Sequence, residues 1–266
     1  MSPREAKAPA EAGSRRGGSS GGLVEQFGTF AIAVLIALAI RAFVVEPYRI
    51  PSGSMFPTLL TGDHLFVNKF LYGIKVPFTR VRLPGLREPA RGDVVVFTVA
   101  KRGGETLPAD RYPELPTEEF VKRIIGIPGD RLEFREGRVW VNGEPVEPHP
   151  LAESFEDPDG IRLEVSEVSV GGRSFRVLDD PAISPTEPKP VTVPPGRYFM
   201  LWDNRDHSKD SRWWGTVDKA DLKGPAIFLY WSWNFKGEWP ELLNPLTWWR
   251  LLTREMRWER MGHGVH

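Results

Sequence analysis

A mainly β fold with one N-terminal transmembrane helix is what this 266-residue sequence predicts. Three observations carry that reading. One long apolar run lies near the N-terminus, and nothing of similar apolarity follows it. Beyond it, short β-type runs are separated by turn signals such as Pro128-Gly129-Asp130 and Asn142-Gly143. The 25 prolines and 26 glycines leave few segments of helical period.

Residues 1–22 are rich in Ala, Gly, Ser, Pro and charge, and are expected to form a disordered tail on the cytoplasmic side. The anchor is expected over 23–45. Its apolar part, Phe27 to Val45, is interrupted only by Thr29 and Arg41. As a helix it spans roughly 28 Å, about one hydrocarbon core. Arg41, near one end, can snorkel to the interface. Arg4, Lys7, Arg15 and Arg16 precede the run, whereas Arg49 is the nearest basic residue after it, which favours a cytoplasmic N-terminus and an external remainder. Ala37-Leu38-Ala39 has the small-x-small form of a signal-peptide cleavage site, but the apolar run continues past it to Val45, which favours a retained anchor.

After Glu46, prolines and Gly53 forbid a continuing helix. Strands are expected at His64–Val67, Asp93–Val99, Phe120–Ile127, Leu132–Phe134, Val139–Val141, Arg162–Val170, Ser174–Leu178, Arg197–Trp202 and Ala226–Trp233. Together they predict an antiparallel β core over 46–142 and 196–266, with 143–195 as a smaller inserted β subdomain between Pro-rich linkers. Nine of the ten tryptophans follow residue 200. Trp248, Trp249, Leu252 and Met256 keep helical spacing, with Arg250, Arg254 and Arg257 on a separate stripe. Such a helix can lie on membrane lipid or cover the protein's own core, and the sequence leaves both open.

Charge balances at 35 basic and 35 acidic residues, without the basic excess that a nucleic-acid partner calls for. The absence of cysteine excludes disulfides, thiol catalysis and cysteine metal sites. Four segments carry candidate chemistry. Pro51-Ser52-Gly53-Ser54-Met55 is a turn in which glycine permits close backbone approach, so a serine there can present its Oγ, although such a loop is also an ordinary turn or cap. In Phe120-Val121-Lys122-Arg123-Ile124, strand alternation puts Lys122 on the face of Phe120 and Ile124, with Arg123 opposite. Apolar burial lowers a lysine pKa; a snorkelling strand-end lysine would keep its own. Arg91-Gly92-Asp93 reads as scaffold. The polar run Trp202-Asp203-Asn204-Arg205-Asp206-His207-Ser208-Lys209-Asp210-Ser211-Arg212 suits an Asx-type turn braced by ion pairs; as a calcium loop it lacks the central glycine and terminal glutamate.

In this order after a single span, these segments resemble the boxes of bacterial type I signal peptidases, over roughly 46–97, 120–142 and 197–215, and the ending Arg260-Met-Gly-His-Gly-Val-His266 is similar too. The resemblance implies a serine endopeptidase of the cytoplasmic membrane, single-pass, with its catalytic part on the extracytoplasmic side. It would remove signal peptides from secreted preproteins at Ala-x-Ala sites through an acyl-enzyme. No cofactor or metal and no nucleic-acid partner are implied. It makes Ser54 the nucleophile and Lys122 the general base, with Ser52 and the Ser54 N–H as the oxyanion hole. Ser208 would orient the amine, and Asp210, Arg212 and Arg123 would brace the site. Ile50, Pro51, Met55, Leu59, Phe120 and Val121 would line pockets for small side chains. Trp202 departs from the family's usual glycine, and a tryptophan would be strained there if the position needs a positive φ. Rivals are a self-cleaving regulator, a non-catalytic relative, and a Ser-His-Asp hydrolase using His207, which lacks a nucleophile elbow. Oligomeric state is not legible.

Overall fold

The computed structural model describes residues 21–74, 83–206, 209–234 and 244–265. The expected tail therefore lies outside the described residues except for its last two, and so do His207 and Ser208. The chain forms two units, one ending at Ile40 and one running Arg41–His266. Helix α1, Gly21–Phe43, is long and apolar enough over Glu25–Phe43 to cross a membrane. It stops two residues short of the expected end because Pro47 pushes Glu46 into the extended region and cannot donate to a helix. Val45 instead opens strand β1, Val45–Arg49. Pro47 is tolerated there because β1 is a sheet edge.

The strands that follow are β2 (Asp63–Asn68), β3 (Val94–Arg102), β4 (Glu105–Pro108), β5 (Thr117–Gly126), β6 (Arg131–Arg135), β7 (Arg138–Val141) and β8 (Glu144–Pro145). Then come β9 (His149–Glu156), β10 (Arg162–Val170), β11 (Arg173–Asp179), β12 (Val191–Thr192), β13 (Arg197–Leu201), β14 (Val217–Asp218) and β15 (Leu222–Ser232). The main sheet runs β1-β2-β15-β3-β5-β13-β14, with β4 on β3. Two smaller sheets order as β11-β10-β9 and β12-β6-β7-β8. Pairing is antiparallel throughout these ladders. The β7–β8 hairpin turns on Asn142 and Gly143 with φ of 55° and 84°, the two positive values that a two-residue turn matching strand twist requires.

Two faces of the main sheet are filled by different cores. One holds Ile50, Met55, Leu59, Leu65, Val94 and Val96. The other holds Val95, Phe97, Ile124, Met200 and Trp214, with Phe120 packed against it. A third core joins Ile125 and Phe199 to Leu132, Val168 and Phe175, so the β9–β11 sheet shares packing with β6, β7 and β13. Near the C-terminus, helix α3, Pro245–Arg250, follows the short helix α2, Ser211–Trp214; Asn244 caps α3 by accepting the Leu246 N–H at 2.9 Å. The apolar side chains of this C-terminal stretch divide: Leu251 and Met256 are buried, while Trp248, Trp249, Leu252 and Trp258 are exposed.

Candidate active site

The Ser54 turn is one short 3-10 turn, Gly53–Met55, leaving β1 after Ile50. Ile50, Met55 and Leu59 sink into the core, and this pins the turn between them. A Cβ on Gly53 would stand 2.3 Å from the Phe56 ring, so any side chain there has to push that ring aside. Phe56 in turn packs on Phe155 of β9, ring centroids 5.2 Å apart. Exposed Ser52 donates its hydroxyl to half-buried Ser54 Oγ at 3.4 Å.

Lys122 lies in the middle of β5, opposite Val95 of β3. Only 2% of it is exposed. Its amine lies over the Trp202 ring at 3.4 Å from the centroid and over Phe120 at 4.7 Å. Its hydrogen-bond partner among the described residues is the Val121 carbonyl, at 2.7 Å. Burial pushes the amine down to about 7, against the opposing pull of the Asp210 and Asp203 carboxylates. The neutral form that a general base needs is therefore available near neutral pH.

Arg123, the next residue, points to the other face as strand alternation demands, and it is fully buried. It grips Asp203 with Nε at 2.8 Å and Nη2 at 2.7 Å, and donates to Gly92 O at 2.8 Å. Asp203 also accepts the Thr58 hydroxyl at 2.6 Å. Asn204 then donates its N–H to Ser54 O at 3.3 Å. One segment, Asp203-Asn204, thus ties β5 to the serine turn. Asp210 caps α2 by accepting the Arg212 N–H and pairs with the Arg212 guanidinium. With Asp203 and Asp210 each held by a guanidinium, two carboxylates of the polar run are already occupied by cations.

A cavity of about 460 Å³ opens beside the turn, lined by Pro51, Ser52, Ser54 and Trp202 and by the Asp157–Asp159 turn between β9 and β10. Of the residues expected to line pockets, Pro51 borders this cavity. Ile50, Met55 and Leu59 form the core beneath, with Val121 packed on it. Phe120, on the alternate face of β5, sits edge-on to Trp202. Trp202 is not among the non-glycine residues with positive φ, which are Glu136 and Asn142 among the described residues, so the strain expected at 202 is not present. Arg91-Gly92-Asp93 is scaffold: burial raises the Asp93 carboxyl, but hydrogen bonds from Arg87, Tyr72 and the Ala90 N–H outweigh it and hold it low.

Sequence reasoning missed Thr58, Asp203 and Asn204 as positioning groups, though the run of short polar residues at 203–204 was the available signal. It also missed Asp63. That carboxylate is fully buried and accepts from Ser232, the Leu60 N–H and Arg260, while Arg260 donates to Thr58 O at 2.9 Å.

Residues 23–231 match the family described as signal peptidase, peptidase S26. The chain is similar to the signal peptidase I of Pseudomonas aeruginosa, 36% identical over 223 residues, covering 79% of this chain and 73% of that one. It is similar to the signal peptidase I of Pseudomonas fluorescens, 36% over 236 residues, with the same coverages of 79% and 73%. It is also similar to the signal peptidase I of Rickettsia typhi, 31% over 245 residues, covering 85% and 82%.

Proposed function

The chain belongs to the signal peptidase, peptidase S26, family, and from that premise we propose a membrane-anchored serine endopeptidase that cuts preproteins at Ala-x-Ala sites with Ser54 and Lys122. One observation carries the mechanism: the Lys122 amine is buried and held at about 7. Neutral Lys122 takes the Ser54 proton as Oγ attacks the scissile carbonyl. The oxyanion is met by the Ser52 hydroxyl and the Ser54 N–H, two donors that together lower the barrier by several kcal/mol. The amide C–N bond breaks as the lysine returns its proton to the leaving amine, leaving an ester on Ser54. Water, deprotonated by Lys122, then cleaves that ester.

In this reading Asp210, Arg212 and Arg123 hold the site's frame, Ser208 orients the amine, and Ile50, Met55, Leu59, Phe120 and Val121 back the substrate. Residues 143–195 act as an insertion into the core. Helix α1 is a single span with the β unit on the extracytoplasmic side, and Trp248, Trp249 and Trp258 rest on lipid.

Ser54→Ala and Lys122→Ala are each expected to abolish cleavage of an Ala-x-Ala preprotein by the detergent-solubilised chain. Undiminished turnover by either variant refutes the proposal. A non-catalytic relative is the second reading, favoured by the indole that covers Lys122. A fluorophosphonate adduct mapped to Ser54 by mass spectrometry excludes it.

A further inference from the structure

We propose that Trp202 is a specificity-determining wall of the substrate cleft, fixing how large a side chain can sit beside Ser54. The inference rests on the proteolytic reading above and adds a residue that reading does not use. Three contacts hold the indole. Its Nε1–H donates to the Lys209 carbonyl at 2.8 Å, its face lies on the Lys122 amine at 3.4 Å, and it meets Phe120 edge-on with centroids 6.4 Å apart. The same residue borders the cavity that Ser52 and Ser54 open into, whereas Lys122 does not border it. The indole therefore touches both the amine and the cavity. A ring fixed at its nitrogen and packed in this way does not yield to a bulky ligand as a lone surface side chain does.

A close-packed apolar wall rejects added methylenes by overpacking, and discrimination of roughly 10- to 200-fold per methylene is what such walls achieve. The cleft should therefore accept alanine next to the scissile bond and penalise valine and leucine. Removing the indole should relieve that penalty.

The test uses the full-length chain in detergent and a preprotein whose two alanines in the Ala-x-Ala site are replaced, one at a time, by valine or leucine. For Trp202→Ala, the ratio of kcat/KM for the alanine substrate to that for a bulky one is expected to fall at least tenfold. Trp202→Phe, which keeps a ring but loses the bond to Lys209, is expected to lower it less. An active Trp202→Ala with an unchanged ratio overturns the inference. If Trp202→Ala does not fold, an unchanged ratio in Trp202→Phe overturns it equally. Fluorophosphonate labelling of Ser54 in each variant separates this outcome from a failure of the dyad. Loss of Ser54 labelling throughout, native chain included, sinks the proteolytic reading, whereas intact labelling with flat selectivity sinks the wall alone.

Discussion

Titrating the enzyme reads the burial of Lys122 directly. On the dyad proposed above, with the amine held at about 7 instead of 10.5, only its neutral form accepts the Ser54 proton. The competent fraction is about one half at pH 7, about a tenth at pH 6 and about a hundredth at pH 5. Cleavage of a preprotein with no titratable residue near the scissile bond should give kcat/KM that falls tenfold per unit below pH 7 and levels off above pH 8. The same burial sets a stability slope. The folded-state value lies below the unfolded one, so between about pH 7 and 10.5 the unfolded chain holds a proton that the folded chain has released. Folding is therefore penalised in full below pH 7, and the penalty vanishes as pH rises to 10.5. Its size is the shift of 3.5 units (10.5 − 7) multiplied by ~1.4 kcal/mol per unit, about 5 kcal/mol. Lys122→Met has no such slope, so its stability relative to the native chain should improve by up to about 5 kcal/mol as pH falls from 10.5 to 7. Urea denaturation of both chains at several pH values measures the difference, in which other titrating groups cancel. Parallel stability curves together with a rate profile flat from pH 5 to 8 would refute the reasoning.

Asp203→Ala leaves the buried Arg123 guanidinium without its carboxylate and should cost about 3–5 kcal/mol in urea denaturation, with activity lost alongside. Gly53→Ala drives a methyl into the Phe56 ring and should cost about 1–3 kcal/mol, with a lower rate of fluorophosphonate labelling at Ser54 as the site-specific readout. If the exposed C-terminal tryptophans rest on lipid as proposed, brominated lipid should quench the tryptophan fluorescence of the reconstituted chain. Replacing Trp248, Trp249 and Trp258 by Phe should remove a large part of that quenching, and equal quenching would argue against contact.

Much of this molecule is legible from its sequence, because alternation and turn chemistry are local. Arg162–Val170 forms one strand with the expected bounds, and Asn142-Gly143 makes the turn its residue types require. The opposed faces of Lys122 and Arg123 follow from strand period alone. What was not legible depends on pairing partners. Val45 reads as the end of the anchor and the proline-bearing stretch after it is assigned no strand, yet β2 supplies a ladder for Val45–Arg49. His149–Glu156 is exposed and polar along much of its length and becomes a strand because β10 lies beside it. The contact of Trp202 with Lys122 joins residues 80 positions apart (202 − 122), as does the grip of Arg123 on Asp203, and no spacing rule reaches that far.

Arg260 reaches from near the C-terminus to the carbonyl of Thr58 and to Asp63, just past the serine turn. The clasp joins two stretches 197 positions apart, so a nick anywhere between them leaves every strand in place and still slackens the hold on Thr58. Arg257, 4.0 Å from Asp63, is then the cation left beside that buried carboxylate.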